Sequence, residues 1–217
     1  MVFDYRRELR TNQALVVGMH AFFAKLGIAS PIFIGASDGG MVAQIYTQKY
    51  PNEVGGLVLV STGGMDSATL KTLKKYFFAP LALWYMAHCN YEKLKPRLIQ
   101  SGMSHLRNES AEEAAYARDM FKTIFKDFQQ AKDVHITGLL ADLMNQTPVT
   151  EADFRALKGR ILLIFPNQDF FSDQMQQDLI KLMQDPQIVY ISGGHLGIVL
   201  KAGDYVREIE KFLEGME

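Results

Sequence analysis

Four short runs, Pro31–Ala36, Gly56–Thr62, Arg160–Pro166 and Gln187–Ser192, are rich in Ile, Val, Leu and Phe and show no polar alternation. Strands covered on both faces have this pattern, so the runs predict a mostly parallel sheet. Beside them apolar residues recur at helical spacing: Leu15, Met19, Phe22/Phe23 and Leu26; Met175, Leu179 and Leu182/Met183; Tyr205, Ile209 and Phe212/Leu213. Strands alternating with helices predict an α/β layer fold, a sheet flanked by helices.

The alternation lapses between Met65 and Leu157, where Ala, Leu, Lys, Met and aromatic residues dominate and β-branched runs are scarce. Several helices are expected there. The clearest covers Ala111 to Gln130, capped by Asn108 or Ser110, with Tyr116, Met120, Phe121, Ile124 and Phe128 along one stripe. Thr150-Glu151-Ala152-Asp153 resembles a capping box with a shortened acid and opens the helix that leads back to the sheet. The expected organisation is a core in two parts, residues 1–65 and 158–217, separated by an all-helical lid over 66–157.

Composition narrows the partners. With Lys+Arg 23 against Asp+Glu 24, overall charge gives no field to draw nucleic acid or an anionic membrane, and a small-molecule substrate is the expectation. The single Cys89 excludes an internal disulfide and a multi-thiolate metal site; a small apolar filler is its expected role, and no metal or cofactor is expected. Met1–Arg10 is charged where a secretory signal needs an apolar stretch, so a cytoplasmic location is expected. The Asn108-Glu109-Ser110 and Asn145-Gln146-Thr147 triplets match a glycosylation acceptor pattern but have no meaning without secretion.

Gly35-Ala36-Ser37-Asp38-Gly39 is a G-x-S-x-G pattern directly after an apolar strand and directly before a helical run from Met41 to Tyr50. So tight a turn forces its central residue into a strained conformation, and only small neighbours let the backbone pass; Gly35 and Gly39 are expected to supply the room. Ser37 then presents its hydroxyl at the sheet's edge, and the backbone N–H of Asp38 points toward a developing oxyanion. The blander reading is a glycine-rich turn with a capping serine. The Asp38 side chain either caps the helix or contacts a cationic group on a substrate.

A serine hydroxyl needs a base to take its proton, and the base needs an acid to hold its tautomer. Of five histidines, His195 stands in the glycine-rich loop Ser192-Gly193-Gly194-His195 after the last strand. His20 and His135 fall in helical patterns and His88 and His105 in the lid, where packed or solvated histidines are ordinary. Asp169 follows the strand Arg160–Pro166 by two residues and is the expected acid; Asp173, in the next helix's first turn, and Asp66, after the second strand, are the alternatives.

At these motifs the sequence resembles the α/β-hydrolase fold superfamily with a helical lid. The G-x-S-x-G-G elbow, the helix ending Tyr50-Pro51, the strand Leu57–Val60, Asp169 and the Gly-Gly-His at 193–195 carry the likeness, and Phe3-Asp4-Tyr5-Arg6 looks like the loop that leads to the helix before the nucleophile strand. The resemblance implies a hydrolase of esters, amides or related acyl bonds, with chain order Ser37, Asp169, His195. It also implies strands and an oxyanion loop upstream of this region. No His-Gly or Gly-rich loop precedes Ser37, so the second oxyanion donor is expected to be absent and activity to be impaired, as in a fragment, a misplaced start or half of a split protein. Loss of one such donor costs about a hundred- to a thousandfold in turnover. Residues 31–36 would then form an open apolar edge, a template for pairing with another chain.

The lid aromatics and methionine, Phe77, Phe78, Trp84, Tyr85 and Met86, either shape an apolar acyl pocket or glue the lid to the core. Alongside the serine-hydrolase reading stand a non-catalytic interaction protein on hydrolase parts and a peroxidase or C–C cleaving enzyme on the same trio.

Overall fold

The computed structural model describes residues 9–76, 81, 84–85, 88–104, 110–126 and 130–216. The chain runs α1 (Asn12–Leu26), β1 (Ile32–Ala36), α2 (Asp38–Lys49), β2 (Gly56–Val60), α3 (Ser67–Tyr76), α4 (Tyr91–Ser104), α5 (Ala111–Lys126), α6 (Gln130–Leu143), a 3-10 helix (Glu151–Leu157), β3 (Ile161–Gln168), α7 (Asp173–Leu182), β4 (Gln187–Gly194), α8 (Gly197–Leu200) and α9 (Ala202–Glu214). The sheet has the order β1-β2-β3-β4 and every pair is parallel.

In β2 and β3 the absence of polar alternation has its cause in two apolar layers. In contrast, β1 is only half-buried and β4 is largely exposed through Ile188 and Tyr190, so the expectation of strands covered on both faces is corrected for the two outer strands. Phe33, Leu57, Leu59, Leu163 and Phe165 face α1, α2 and α7, meeting Val16, Phe23, Tyr46 and Leu179. Val58, Val60, Leu162 and Ile164 face the other way, onto Tyr205, Ile209 and Phe212 of α9. Each fully buried side chain of this size contributes roughly 1.5–3 kcal/mol relative to exposure. Because α9 lies against β3 and β4, the same face of β1 is left open, with Ile32 42% and Ile34 54% exposed. Among the described residues β1 is an edge of the sheet, and its outer backbone edge has no strand partner and no protecting charge.

Local chemistry sets the element boundaries. The Thr11 hydroxyl accepts the Ala14 N–H at the start of α1, and Gly27, at φ 69°, ends it in the left-handed conformation that glycine tolerates. Ser110 opens α5: its hydroxyl accepts the Glu113 N–H while the Glu113 carboxylate accepts the Ser110 N–H at 2.8 Å, a complete capping box. Asn108 lies outside the described residues. The predicted helix Ala111–Gln130 corresponds to α5, ending at Lys126, with a second helix beginning at Gln130. The Asp153 carboxylate accepts the N–H of Thr150 at 2.7 Å, and the helix that follows is a 3-10 helix.

Every described element between Ser67 and Leu143 is helical. Its two ends join the core through Leu70, Leu73, Leu143 and Met144. A buried polar tie adds to this at one end, where the Asp142 carboxylate accepts the Asn12 backbone N–H at 2.6 Å and the Asn12 side chain donates to the Leu139 carbonyl. No helix among the described residues is long and apolar enough to cross a membrane.

Candidate active site

Ser37 occupies the single residue between β1 and α2, at φ 52° and ψ −122°. A side chain held at positive φ costs about 1–3 kcal/mol unless the surroundings impose it. Here they do. The Ser37 N–H donates to the Val60 carbonyl at 3.0 Å, and the Thr62 hydroxyl donates to the Ser37 carbonyl at 2.6 Å, so both ends of the residue are clamped to the end of β2. A Cβ on Gly35 would stand 2.7 Å from the Gly39 carbonyl oxygen and the Gly40 Cα; a Cβ on Gly40 would stand 2.7 Å from the Thr62 methyl. Gly39, in contrast, meets nothing within 4 Å. The expectation that Gly35 and Gly39 make the room is corrected to Gly35 and Gly40: α2 crosses the end of β2 at its third residue, not its second.

Ser37, Asp169 and His195 converge at the carboxyl ends of β1, β3 and β4. His195 Nε2 lies 3.0 Å from Ser37 Oγ, and its Nδ1 lies 2.8 Å from Asp169 Oδ1. The tautomer that satisfies both contacts carries its proton on Nδ1, donating to the carboxylate, and leaves Nε2 to accept from the hydroxyl. The Asp169 side chain is 1% exposed and its Oδ1 also accepts the Phe171 N–H at 3.3 Å, so the acid cannot swing away. Behind His195, a Cβ on Gly197 would press on the Tyr205 hydroxyl, which brings the turn down onto α9.

A family model described as alpha/beta hydrolase fold matches residues 14–202. The chain belongs to the α/β-hydrolase fold family. No curated protein matches it by sequence. Among solved structures, it is similar to an enol-lactonase from Burkholderia xenovorans LB400, with TM-score 0.70 and 14% identity over 94% of this chain and 73% of that one. It is similar also to a thermophilic esterase from Thermogutta terrifontis, TM-score 0.67 and 19% identity over 95% and 73%. A carboxylesterase structure from Nitrososphaera gargenis has TM-score 0.67 and 15% identity over 95% and 72%.

Within this α/β-hydrolase, two contributions to the site have no signal in the sequence. Asn167 sits at the irregularity between β3 and β4, where the register shifts between Pro166 and Gln168. Its side-chain oxygen accepts the Gly193 N–H at 3.0 Å, replacing a missing ladder bond, and Gly193 takes φ 127° to meet it. This carries both strands beyond their expected ends, to Gln168 and Gly194. Phe170 and Phe171 stand beside the imidazole, their ring centroids 4.3 and 5.9 Å from that of His195; Phe171 is buried and Phe170 is 53% exposed.

Asp38 is exposed as a residue, yet neighbouring atoms crowd its carboxyl. That loss of solvent raises its pKa above the ordinary carboxylate value, offset by the N–H groups of Gly39 and of Asp38 itself and by His195. The carboxyl thus leans on the start of α2 beside the amide expected to serve the oxyanion.

The alternative acids are occupied elsewhere. Asp66 caps α3 by accepting the N–H groups of Ala68 and Thr69 at 2.8 and 3.0 Å. Asp173 is in the first turn of α7, opened by Ser172. His20 pairs with Glu53 at 2.9 Å, His88 bonds the Trp84 carbonyl at 2.8 Å and His135 is within α6; His105 lies outside the described residues. Of the aromatics in the expected lid, Trp84 and Tyr85 are exposed and so do not glue that segment to the core, while Phe77, Phe78 and Met86 lie outside the described residues.

Proposed function

We propose that this α/β-hydrolase is a serine hydrolase of esters or related acyl bonds in a small, partly apolar substrate. What supports it is the hydrogen-bonded series Ser37–His195–Asp169, at 3.0 and 2.8 Å, with the serine held at positive φ. His195 Nε2 takes the Ser37 proton as Oγ attacks the carbonyl carbon, and the charge on the tetrahedral oxygen is received by the Asp38 backbone N–H. Collapse expels the alcohol, which takes the proton back from His195, and leaves an acyl group on Ser37. Water, deprotonated by the same imidazole, attacks the acyl carbon; the bond to Ser37 Oγ breaks, Oγ takes the proton from His195, and the acid is released. Asp169 stays ionised throughout and stabilises the imidazolium. Phe170 and Phe171 form an apolar wall beside His195 that suits an apolar acyl or leaving group, and the insertion over 66–157 acts as the lid.

The direct test is labelling by a fluorophosphonate probe: wild-type chain should be modified at Ser37 and Ser37→Ala should not. Equal labelling of the two, or none of either, overturns the reading. The open edge of β1 favours a second role, in which Ile32 and Ile34 pair with a strand of another chain.

A further inference from the structure

The overall charge of −1 conceals a strong segregation. Residues 71–97 contain Lys71, Lys74, Lys75, Lys93, Lys95 and Arg97 against a single acid, Glu92. Lys95 takes up that acid at 3.0 Å and lies over the Tyr91 ring. The other five cations are exposed, three on α3 and two on α4. The rest of the chain is correspondingly acidic, so an expectation based on the total averages over two opposite regions.

Between those two cationic helices, Leu81, Trp84, Tyr85 and His88 are helical and fall at i, i+3, i+4 and i+7, which places them on one face. The Cys89 N–H donates to the Tyr85 carbonyl, and the Trp84 and His88 rings stack at 5.1 Å, as neighbours four positions apart on one face. An amphipathic helix ordinarily turns such a stripe inward. Here it faces outward: Leu81 is 60%, Trp84 61% and Tyr85 47% exposed.

We propose that this stripe and its flanking lysines dock on the headgroup layer of an anionic lipid bilayer. Trp and Tyr combine an apolar body with a polar tip and settle at the boundary of lipid and water; lysines on either side reach the phosphates. The occupant follows from satisfying both features at once. A second copy of the chain would bring two lysine-rich segments together, and a nucleic acid would meet the lysines but leave Leu81 in water. The contact is through one short helical face, and among the described residues no helix is long and apolar enough to cross a membrane.

Trp84 is the chain's only tryptophan, so its emission reports on this surface alone. The full chain is titrated with phosphatidylcholine vesicles containing phosphatidylglycerol, with pure phosphatidylcholine vesicles, and with the anionic vesicles at high salt. Expected are a blue shift with anionic vesicles, quenching by bromine-labelled acyl chains, and binding about tenfold or more weaker on neutral vesicles or in high salt. Co-sedimentation should show a similar loss for Lys74→Glu/Lys75→Glu and, separately, for Leu81→Ser, with far-ultraviolet circular dichroism unchanged. Ser37→Ala should dock like the wild type, because docking asks nothing of the acyl-transfer residues. Unchanged emission, equal response to neutral and anionic vesicles, or a concentration-dependent blue shift without lipid that reports a second copy would each overturn the proposal.

Discussion

The side-chain oxygen of Asn167 accepts the backbone N–H of Gly193 at 3.0 Å, joining the loop that bears Asp169 to the loop that bears His195. It does so where the ladder between β3 and β4 loses its register, so this side chain is one of the ties that set Asp169 against His195. On the proposed acyl-transfer reading Asn167 would act as a positioning residue. Asn167→Ala should lower kcat for an activated ester by about ten- to a hundredfold with little change in KM, because a small displacement of the base is felt at the transition state. Asn167→Asp, which keeps an acceptor, should restore part of it. A rise in KM alone, with kcat unchanged, would contradict the positioning role.

Ser37 holds a strained backbone that glycine would not feel. Relief of about 1–3 kcal/mol, less the roughly 0.5–1 kcal/mol that glycine's extra freedom costs the folded state, leaves Ser37→Gly more stable by about 1 kcal/mol. Urea unfolding should show a later midpoint together with the loss of fluorophosphonate labelling. An earlier midpoint would mean that the elbow is not strained as its φ indicates.

The two glycines after the serine are not equivalent. Gly40→Ala forces a methyl against Thr62 and should destabilise by about 1–3 kcal/mol, whereas Gly39→Ala enters open space within α2 and should be neutral or stabilising by up to about 1 kcal/mol. Thermal unfolding of the pair decides the matter. The opposite ranking would restore the pattern expected from G-x-S-x-G alone.

Asp38 links stability to pH. Desolvation raises its folded pKa above the ordinary value, so folding binds its proton and the ionised form is the unfavourable one. The cost is present at neutral pH, where the carboxyl is charged, and vanishes as pH falls below the ordinary carboxylate value and both states are protonated. Asp38→Asn should therefore have a modestly higher Tm than wild type at neutral pH, with the gain shrinking toward acid. A gain that does not vary with pH would count against a desolvated carboxylate.

Ile34 is the most exposed apolar residue of β1, on an edge with no charge to discourage pairing. Ile34→Lys should reduce self-association measured by light scattering while leaving the far-ultraviolet circular dichroism unchanged. Identical scattering from both proteins would show that the edge is not sticky.

What the sequence determined is what short stretches dictate. Strands buried on both faces must be apolar throughout, which made β2 and β3 legible; β1 and β4 were found from the same apolar composition although one face of each is exposed. A turn as tight as that at Ser37 needs small residues within a few positions. The places of Ser37, Asp169 and His195 after strands were legible for the same local reasons, while their chain order was implied by the resemblance to α/β-hydrolases. That Ser37 and His195, 158 positions apart, meet at 3.0 Å was settled only when the parallel sheet placed β1 and β4 with two strands between them and β4 ran on past the level of the end of β1. The Thr62 clamp, the choice of Gly40 over Gly39, the Asn167 tether, the Phe170–His195 contact and the outward stripe at Trp84 all depend on which segments become neighbours. No local pattern encodes that, because the energies involved arise from contacts between residues distant in sequence, and packing chooses among many arrangements that local propensity leaves equal.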